Sequence, residues 1–436
     1  MIFFSYKIPV RWVLMCVLPL MLGVCTVHAE RVYFAGYKGG FYIKSEEEGG
    51  MELRLGGAFK ADYRYYAEKE RADNGFDIRQ ARLIFRGGLT QWFKFGMEFE
   101  FQGNETSNLV DAYGEAVFGG TQGLRFGQFK EPFSLEWQTS DKAQWFAERS
   151  MGYDLGPKRD IGIMLHGSFF NDAMQYGAGI FNGDGGDGSD SGNQQDAPEA
   201  TGRLVVAPLK HVGPDWLKNL QIGGSASYAN IDLANVDLQV KTTGMVGTSR
   251  NIYVLTANTK FGVLYDVDNR LRGGLEAAWT WGPVALAGEM IYLRYTDLVP
   301  SDGVARDADF SSWYVAGLWC LTGERPMLRK GVFAAVYPDR FFNPKEQTWG
   351  AVSLSARMDH FYGDEDWINP ASFVSTQEAE AFSVALTWAL FPMHHVLLDY
   401  THTDWSDPIR VRVLPDGSVD YIKEENVITL RYSLDF

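Results

Sequence analysis

Residues 93–101 read FKFGMEFEF. In an extended chain successive side chains point to opposite faces. Phe93, Phe95, Met97, Phe99 and Phe101 therefore share one face, and Lys94, Gly96, Glu98 and Glu100 the other. An apolar row backed by charges fits two kinds of sheet. One is a soluble sandwich with the Phe row in its core. The other is a closed barrel crossing a membrane, with the Phe row in hydrocarbon and the charges in an aqueous lumen.

The rest of the chain separates the two. Residues 51–66 (MELRLGGAFKADYRYY) send Leu53, Leu55, Phe59, Tyr63 and Tyr65 one way, and Arg54, Lys60, Asp62 and Arg64 the other. Residues 78–89 set Ala81, Leu83, Phe85 and Leu89 against Gln80, Arg82 and Arg86. Residues 109–118 set Val110, Ala112, Ala116 and Phe118 against Asp111, Tyr113 and Glu115. Further segments of this kind lie at 123–131, 160–170, 174–183, 199–208, 219–230, 270–281, 284–297, 310–321, 346–358, 380–391, 394–404 and 425–436. That makes about sixteen, each near the ~10 residues of a tilted membrane strand.

The connections follow a parity. Counted from residue 51, the odd ones are polar and often long: AEKERADNG, GNETSN, then 132–159. The even ones are tight: TQW (90–92), GGTQ (119–122), NDA (171–173), GP (282–283) and PM (392–393). Short turns at one end and long loops at the other predict an all-β fold, a transmembrane antiparallel up-and-down barrel of about 16 strands. Greek-key crossings of a sandwich would not keep that parity. Two pieces strain the scheme. Residues 323–345 are long where a short turn is due, and 250–262 is a strand-like stretch inside a long loop, 231–269. Single-chain bacterial barrels have even strand counts, so 250–262 is assigned to the loop. Rings near strand ends, such as Trp92-Phe93, Tyr63, Tyr65, Trp279, Trp281 and Trp388, suit the headgroup level of a bilayer.

Composition narrows the function classes. The chain has 436 residues, 46% of them apolar, with 47 glycines and 14% aromatics. Past the first residues no segment has the ~20 uninterrupted apolar residues of a spanning helix. Residues 1–29 read as an export signal: Lys7 and Arg11, an apolar run over 12–25, then Val27-His28-Ala29 before a cut at Glu30. A lipoprotein signal ending at Cys25 is the rival, against which stands the bulky Val24 before it. Cleavage would take the net charge from −15 to −17 and leave one thiol, Cys320, so no internal disulfide could form. The acidic balance argues against nucleic acid as a partner. Residues 30–50 are read as a periplasmic N-terminal segment, and 51–436 as the barrel.

Several stretches resemble the phosphate-selective porin O and P family. They are GGFYIKS with MELRLGGAFKADYRYY, then FDIRQARLIFRGGL, LVDAYGEAVF and LRFGQFKEPFSLE. WFAERS, KRDIGIMLHG, YGAGIFNGDG, WGPVALAGEMIYLRY, WCLTGERP and LTWALFPMHHVLLDYTHTD follow in order, and Phe436 closes the set. Outer-membrane barrels generally end on an aromatic residue that their assembly machinery reads. The resemblance implies a homotrimer of sixteen-stranded barrels in the outer membrane of a Gram-negative bacterium, in contact with lipid and lipopolysaccharide. It also implies a third loop folded inward and a channel for passive uptake of small hydrophilic solutes, with no cofactor.

Residues 132–159 are too long and apolar for a solvated hairpin: Phe133, Leu135, Trp137, Trp145 and Phe146 need burial. Folding into the lumen would supply it and narrow the channel, and an extracellular lid is the alternative. Selectivity would then rest on charges there. By parity the wall offers Arg54, Lys60, Arg64, Arg82, Arg86, Lys94 and Arg125, and the loop and its exit add Lys142, Arg149, Lys158 and Arg159. Arg and Lys rings favour anions such as phosphate. Asp62, Glu98, Glu100, Asp111 and Glu115 share that face, which leaves a non-selective general porin as the alternative. The acidic stretch 183–196 can be a solvated loop or a seat for divalent cations bridging lipopolysaccharide. An enzyme is the rival outside transport, since His394, His395 and His402 lie near Asp399 and Asp404. By parity, however, the three histidines do not share a face, and no catalytic or metal site is assigned. A structural or adhesive barrel would favour fewer strands and a filled interior.

Overall fold

The computed structural model describes residues 33–37, 40–46, 49–68, 72–102, 108–183, 198–231, 236–243, 251–256, 258–369, 373–413 and 417–436. The signal reading at 1–29 and the acidic stretch from residue 184 on lie outside these residues. The chain opens with β1 (Tyr33–Tyr37) and β2 (Phe41–Ser45), followed by β3 (Glu52–Tyr66), β4 (Gly75–Thr90), β5 (Phe93–Glu100), β6 (Asn108–Phe118) and β7 (Gln122–Lys130). After a loop carrying the short helix α1 (Leu135–Gln138) come β8 (Arg159–Phe169), β9 (Met174–Phe181), β10 (Glu199–Val206) and β11 (Gln221–Asn230). Four short strands interrupt the series: β12 (Asp237–Lys241), β13 (Asn251–Thr256), β14 (Asn258–Thr259) and β15 (Gly262–Asp266). Next are β16 (Asn269–Trp281), β17 (Val284–Pro300) and β18 (Arg306–Cys320), the two-residue β19 (Leu328–Arg329) and β20 (Val332–Phe333), and then β21 (Ala351–Tyr362), β22 (Glu378–Phe391), β23 (His394–Val413) and β24 (Val419–Asp435).

Sixteen of these strands, β3 to β11, β16 to β18 and β21 to β24, pair antiparallel with their neighbours. The sheet closes where β24 meets β3, from Val427↔Tyr66 to Asp435↔Ala58. Closure leaves no free edge among the barrel strands, which is what a sheet in hydrocarbon requires. Phe436 completes the seam: its N–H donates to the Gly57 carbonyl and its main-chain oxygen accepts from Gly57 N–H. A Cβ on Gly57 would lie 2.6 Å from the Phe436 ring, so the GG of LGGAF makes room for that ring. Beyond the point where β24 stops, β2 pairs with the remaining length of β3, and β1 pairs with β2.

The Phe row of β5 faces outward. Phe93, Met97 and Phe101 are 45%, 41% and 50% exposed on the barrel exterior, whereas Glu98 is 6% exposed on the lumen side. Exposed rings ring both rims. Trp92, Phe118, Trp281, Trp319 and Phe391 mark the short-turn end, and Tyr65, Phe76, Tyr228, Tyr265 and Tyr421 the long-loop end. Two aromatic belts around an apolar exterior define a membrane-spanning band.

The interior is not an open tube. Residues 131–158 enter the lumen and bury Phe133, Leu135, Trp137 and Phe146 against the wall. In the segment 231–269, β12 and β13 form a separate two-stranded sheet, so 250–262 contributes no barrel strand. Val240, Ile252 and Tyr253 of this hairpin are fully buried with Phe133, Met151 and Leu155 of the first insertion and with Ile291, Phe310 and Phe361 of the wall. The long connection between β18 and β21 has its own reason. It carries the β19–β20 turn to the loop, where Phe333 meets Trp145 (ring centroids 4.6 Å apart), and the Gly331 carbonyl accepts from Arg203 Nη2 at 2.8 Å.

Candidate functional site

One side of the lumen keeps an open space. A cavity of about 260 Å³ runs between the first insertion and a continuous stretch of wall, with Lys60, Arg79, Gln80, Arg82, Glu100, Val110, Gln128, Arg159 and Arg431 on the wall. The insertion contributes Trp137, Asp141, Gln144, Ala147, Glu148, Arg149, Tyr153 and Lys158. Barrel closure brings Arg431, near the C-terminus, beside strands from the start of the chain.

Alternation delivers most wall residues, and two β-bulges deliver the rest. Lys60 pairs with Gln80 but Ala61 with Ile78, so Arg79 is the extra residue of a bulge and turns into the cavity. Glu98 pairs with Asp111 but Phe99 with Leu109, which turns Val110 inward in the same way. Strict parity had placed Val110 outward.

Two carboxylates of the insertion reach the basic wall. Glu148 accepts from Arg79 Nε and Nη2 at 2.9 and 3.1 Å, from Arg64 Nη2 at 2.5 Å and from Arg431 Nη2 at 3.0 Å. Arg64 and Arg431 also grip Asp62, which lies behind them. Asp141 accepts from Gln80 Nε2 at 3.0 Å and Arg82 Nη1 at 2.9 Å on one oxygen, and from Arg149 Nη2 on the other. Burial pushes both carboxyls up. The surrounding cations outweigh it, Arg149, Lys60 and Arg82 at Asp141 and Arg79, Arg64 and Arg431 at Glu148. Both groups therefore titrate well below the usual carboxylate range.

Three lysines are held differently. Lys60 Nζ donates to the Asp141 carbonyl at 3.2 Å, Lys130 Nζ to the Trp137 carbonyl at 2.6 Å, and Lys158 Nζ to the Tyr153 carbonyl. Among the described residues none of these ammoniums has a carboxylate at ion-pairing distance. Lys130, Arg159 and Arg149 surround the Trp137 ring at 4.4, 5.1 and 5.3 Å from its centroid, and Lys158 lies 3.0 Å from that of Tyr153. Seated on ring faces and carbonyl oxygens, the three ammoniums are not neutralised by a carboxylate partner among the described residues. Among the cavity-lining residues, seven are cationic and three are carboxylates, so the lining carries an excess of positive charge.

Of the residues singled out from sequence, Lys60, Arg82, Arg149, Lys158 and Arg159 line this cavity. Asp111 lies just behind, accepting from Arg159 Nε at 2.7 Å. Arg64 is sealed under Glu148 and Asp62. Arg125 is engaged farther along the lumen, by Glu115 at 2.6 Å, which His166 also approaches. Arg54 and Arg86 face each other toward the short-turn end, with Arg54 paired to Glu52. Lys94 and Lys142 are exposed away from the cavity. Sequence reasoning did not single out Arg79, Lys130, Arg431, Asp141 and Glu148. Arg431 carried a usable signal, because it alternates with outward Leu430 and Tyr432 in a last strand that must pair with the first.

Residues 53–436 match the sequence profile of phosphate-selective porin O and P. No curated protein sequence matches the chain. Among solved structures, the outer membrane channel DcaP of Acinetobacter baumannii superposes with a TM-score of 0.55 at 11% identity, covering 89% of this chain and 98% of that one. The anion-selective porin from Comamonas acidovorans gives 0.54 at 12%, covering 88% and 100%. The trimer form of OmpT from Vibrio cholerae gives 0.53 at 10%, covering 89% and 100%. At these identities the likeness is one of fold.

Proposed function

This chain belongs to the phosphate-selective porin O and P family, and from that membership and the basic slot in its lumen we propose a water-filled, anion-preferring channel for passive uptake of small solutes such as phosphate. The observation that carries the reading is the slot's excess of cations, seven against three carboxylates, among them Lys60 and Lys158, whose ammoniums rest on carbonyls rather than carboxylates. Arg82, Arg149, Lys158 and Arg159 are the residues assigned to anion binding, with Lys60 and Arg79 beside them. An anion entering the slot exchanges water for guanidinium forks and ammoniums, which lowers its desolvation cost and raises that of a cation. The short turns are assigned to the periplasm and the long loops to the exterior of a Gram-negative outer membrane, with residues 1–29 as the export signal and three copies per assembly.

The test is the reversal potential of the purified channel in a planar bilayer under a potassium chloride gradient. Anion selectivity, with chloride current reduced by added phosphate, supports the proposal. A cation-selective channel overturns it. A second reading, a weakly selective general porin, draws on the carboxylate partners of Arg79, Arg82, Arg149 and Arg431. A reversal potential near zero would favour it.

A further inference from the structure

The two carboxylates that reach from the insertion to the wall differ in setting. Glu148 also borders the cavity but is nearly enclosed: its side chain is 7% exposed and three guanidiniums surround it. The Asp141 side chain is 25% exposed and forms part of the cavity lining. Its donors come from both sides of the slot: Gln80 and Arg82 from β4, and Arg149 from the insertion itself. Lys60 reaches the carbonyl of the same residue from β3. Two guanidiniums and an amide converging on the two carboxylate oxygens, with an ammonium beside them on the main-chain carbonyl, make a seat for an oxyanion. Here the chain supplies that oxyanion itself.

The insertion does not need Asp141 to stay in place. Glu148 clamps it to Arg64, Arg79 and Arg431. At α1, Glu289 of β17 accepts from Leu135 N–H at 3.0 Å and Glu136 N–H at 3.2 Å. Glu136 holds Ser150, and Asp399 of β23 accepts from Ala147 N–H at 3.1 Å. Asp141 instead sits at the start of a single 3₁₀ turn, residues 141–143, facing the slot.

We propose that Asp141 is a tethered competitor for the permeating anion, occupying an oxyanion seat made by Gln80, Arg82 and Arg149, with Lys60 beside it, that a free oxyanion such as phosphate takes when the aspartate swings away. This deepens the anion-channel reading and rests on it. A seat already filled by a carboxylate binds the solute weakly and releases it quickly, which suits conduction better than retention. Chloride, with one centre in place of two or more oxygens, gains less from the same donors.

The experiment titrates inorganic phosphate against chloride current in planar bilayers and reads the half-blocking concentration for wild type, Asp141→Ala and Asp141→Asn. Emptying the seat lowers that concentration by about tenfold in Asp141→Ala, the worth of one charge-assisted hydrogen bond. Asp141→Asn moves it the same way by less, and serves if the alanine variant does not fold. Glu115→Gln removes the same charge at the Arg125 pair, off the seat, and leaves the half-blocking concentration where it was. An unchanged value in both Asp141 variants, or an equal fall in Glu115→Gln, overturns the inference while leaving an anion-selective channel standing. Cation selectivity in wild type overturns the channel reading and this inference with it.

Discussion

The two sides of the lumen are built on the same alternation and end in opposite chemistry. On β3 the inward residues are Lys60, Asp62 and Arg64. On β17 they are Ala285, Ala287, Ile291 and Leu293, all buried, with Glu289 among them turned onto the α1 amides. Outward positions are apolar on both strands, as with Phe59 and Tyr63 on one and Leu286 and Met290 on the other. The difference lies in what each inward face meets. The basic side faces the open slot. The far side faces protein inserted from three places: the first loop, the β12–β13 hairpin and the β19–β20 turn, which bury Leu135, Phe146, Tyr253 and Phe333 there. The filled side still carries charge, but in buried partnerships such as Glu289 with the α1 amides and Arg357 with Asp359, and filling it leaves the charged slot as the open part of the lumen.

That contrast can be broken at its clamp first. Replacing Glu148 with Ala strands Arg64, Arg79 and Arg431 around an empty seat. Removing one partner of a buried ion network costs about 3–5 kcal/mol, so urea unfolding in vesicles should shift by that much and the open channel should conduct more. On the filled side, Phe310→Ala empties a site that is 1% exposed, with an expected loss of about 3–5 kcal/mol and no change in ion selectivity. The exterior gives a third value. Met97→Arg sets a charge in hydrocarbon, at about 2–4 kcal/mol if the site lies near the midplane. The smallest effect concerns pH. Burial, partly offset by Asp154, brings the Lys158 ammonium down to about 7. Lys158 is cationic below that pH and neutral above it, so anion preference should decline as pH rises through neutrality. Lys158→Gln should show the lower preference throughout, with a flatter profile. Reversal potentials across neutral pH check this.

The strands were legible because inside and outside select different side chains, and because turn and loop lengths alternate. All sixteen stretches read from sequence correspond to barrel strands, although several ends differ: β23 runs to Val413 and β24 begins at Val419. The filled side was less legible, because Ala285, Ala287, Ala316 and Ala385 carry no polar signal and their cover comes from segments distant in sequence. Arg79 was hidden by a bulge that breaks the period of two at one position. The sequence also lists cations and carboxylates without stating their pairing. Arg64 and Arg82 look equivalent there, yet one is sealed beneath Glu148 and the other reaches the slot. Phe436 likewise gains a physical role only once the seam places its ring over Gly57.

The central claim is that solute passes along the basic wall and not through the filled side. Cysteine accessibility tests it most directly, in a Cys320→Ser background with a negatively charged methanethiosulfonate added to the conducting channel. Gln80→Cys on the basic side should react and lose current, while Ala385→Cys on the filled side should keep its current. Equal loss at Ala385→Cys, or none at Gln80→Cys, would contradict the account.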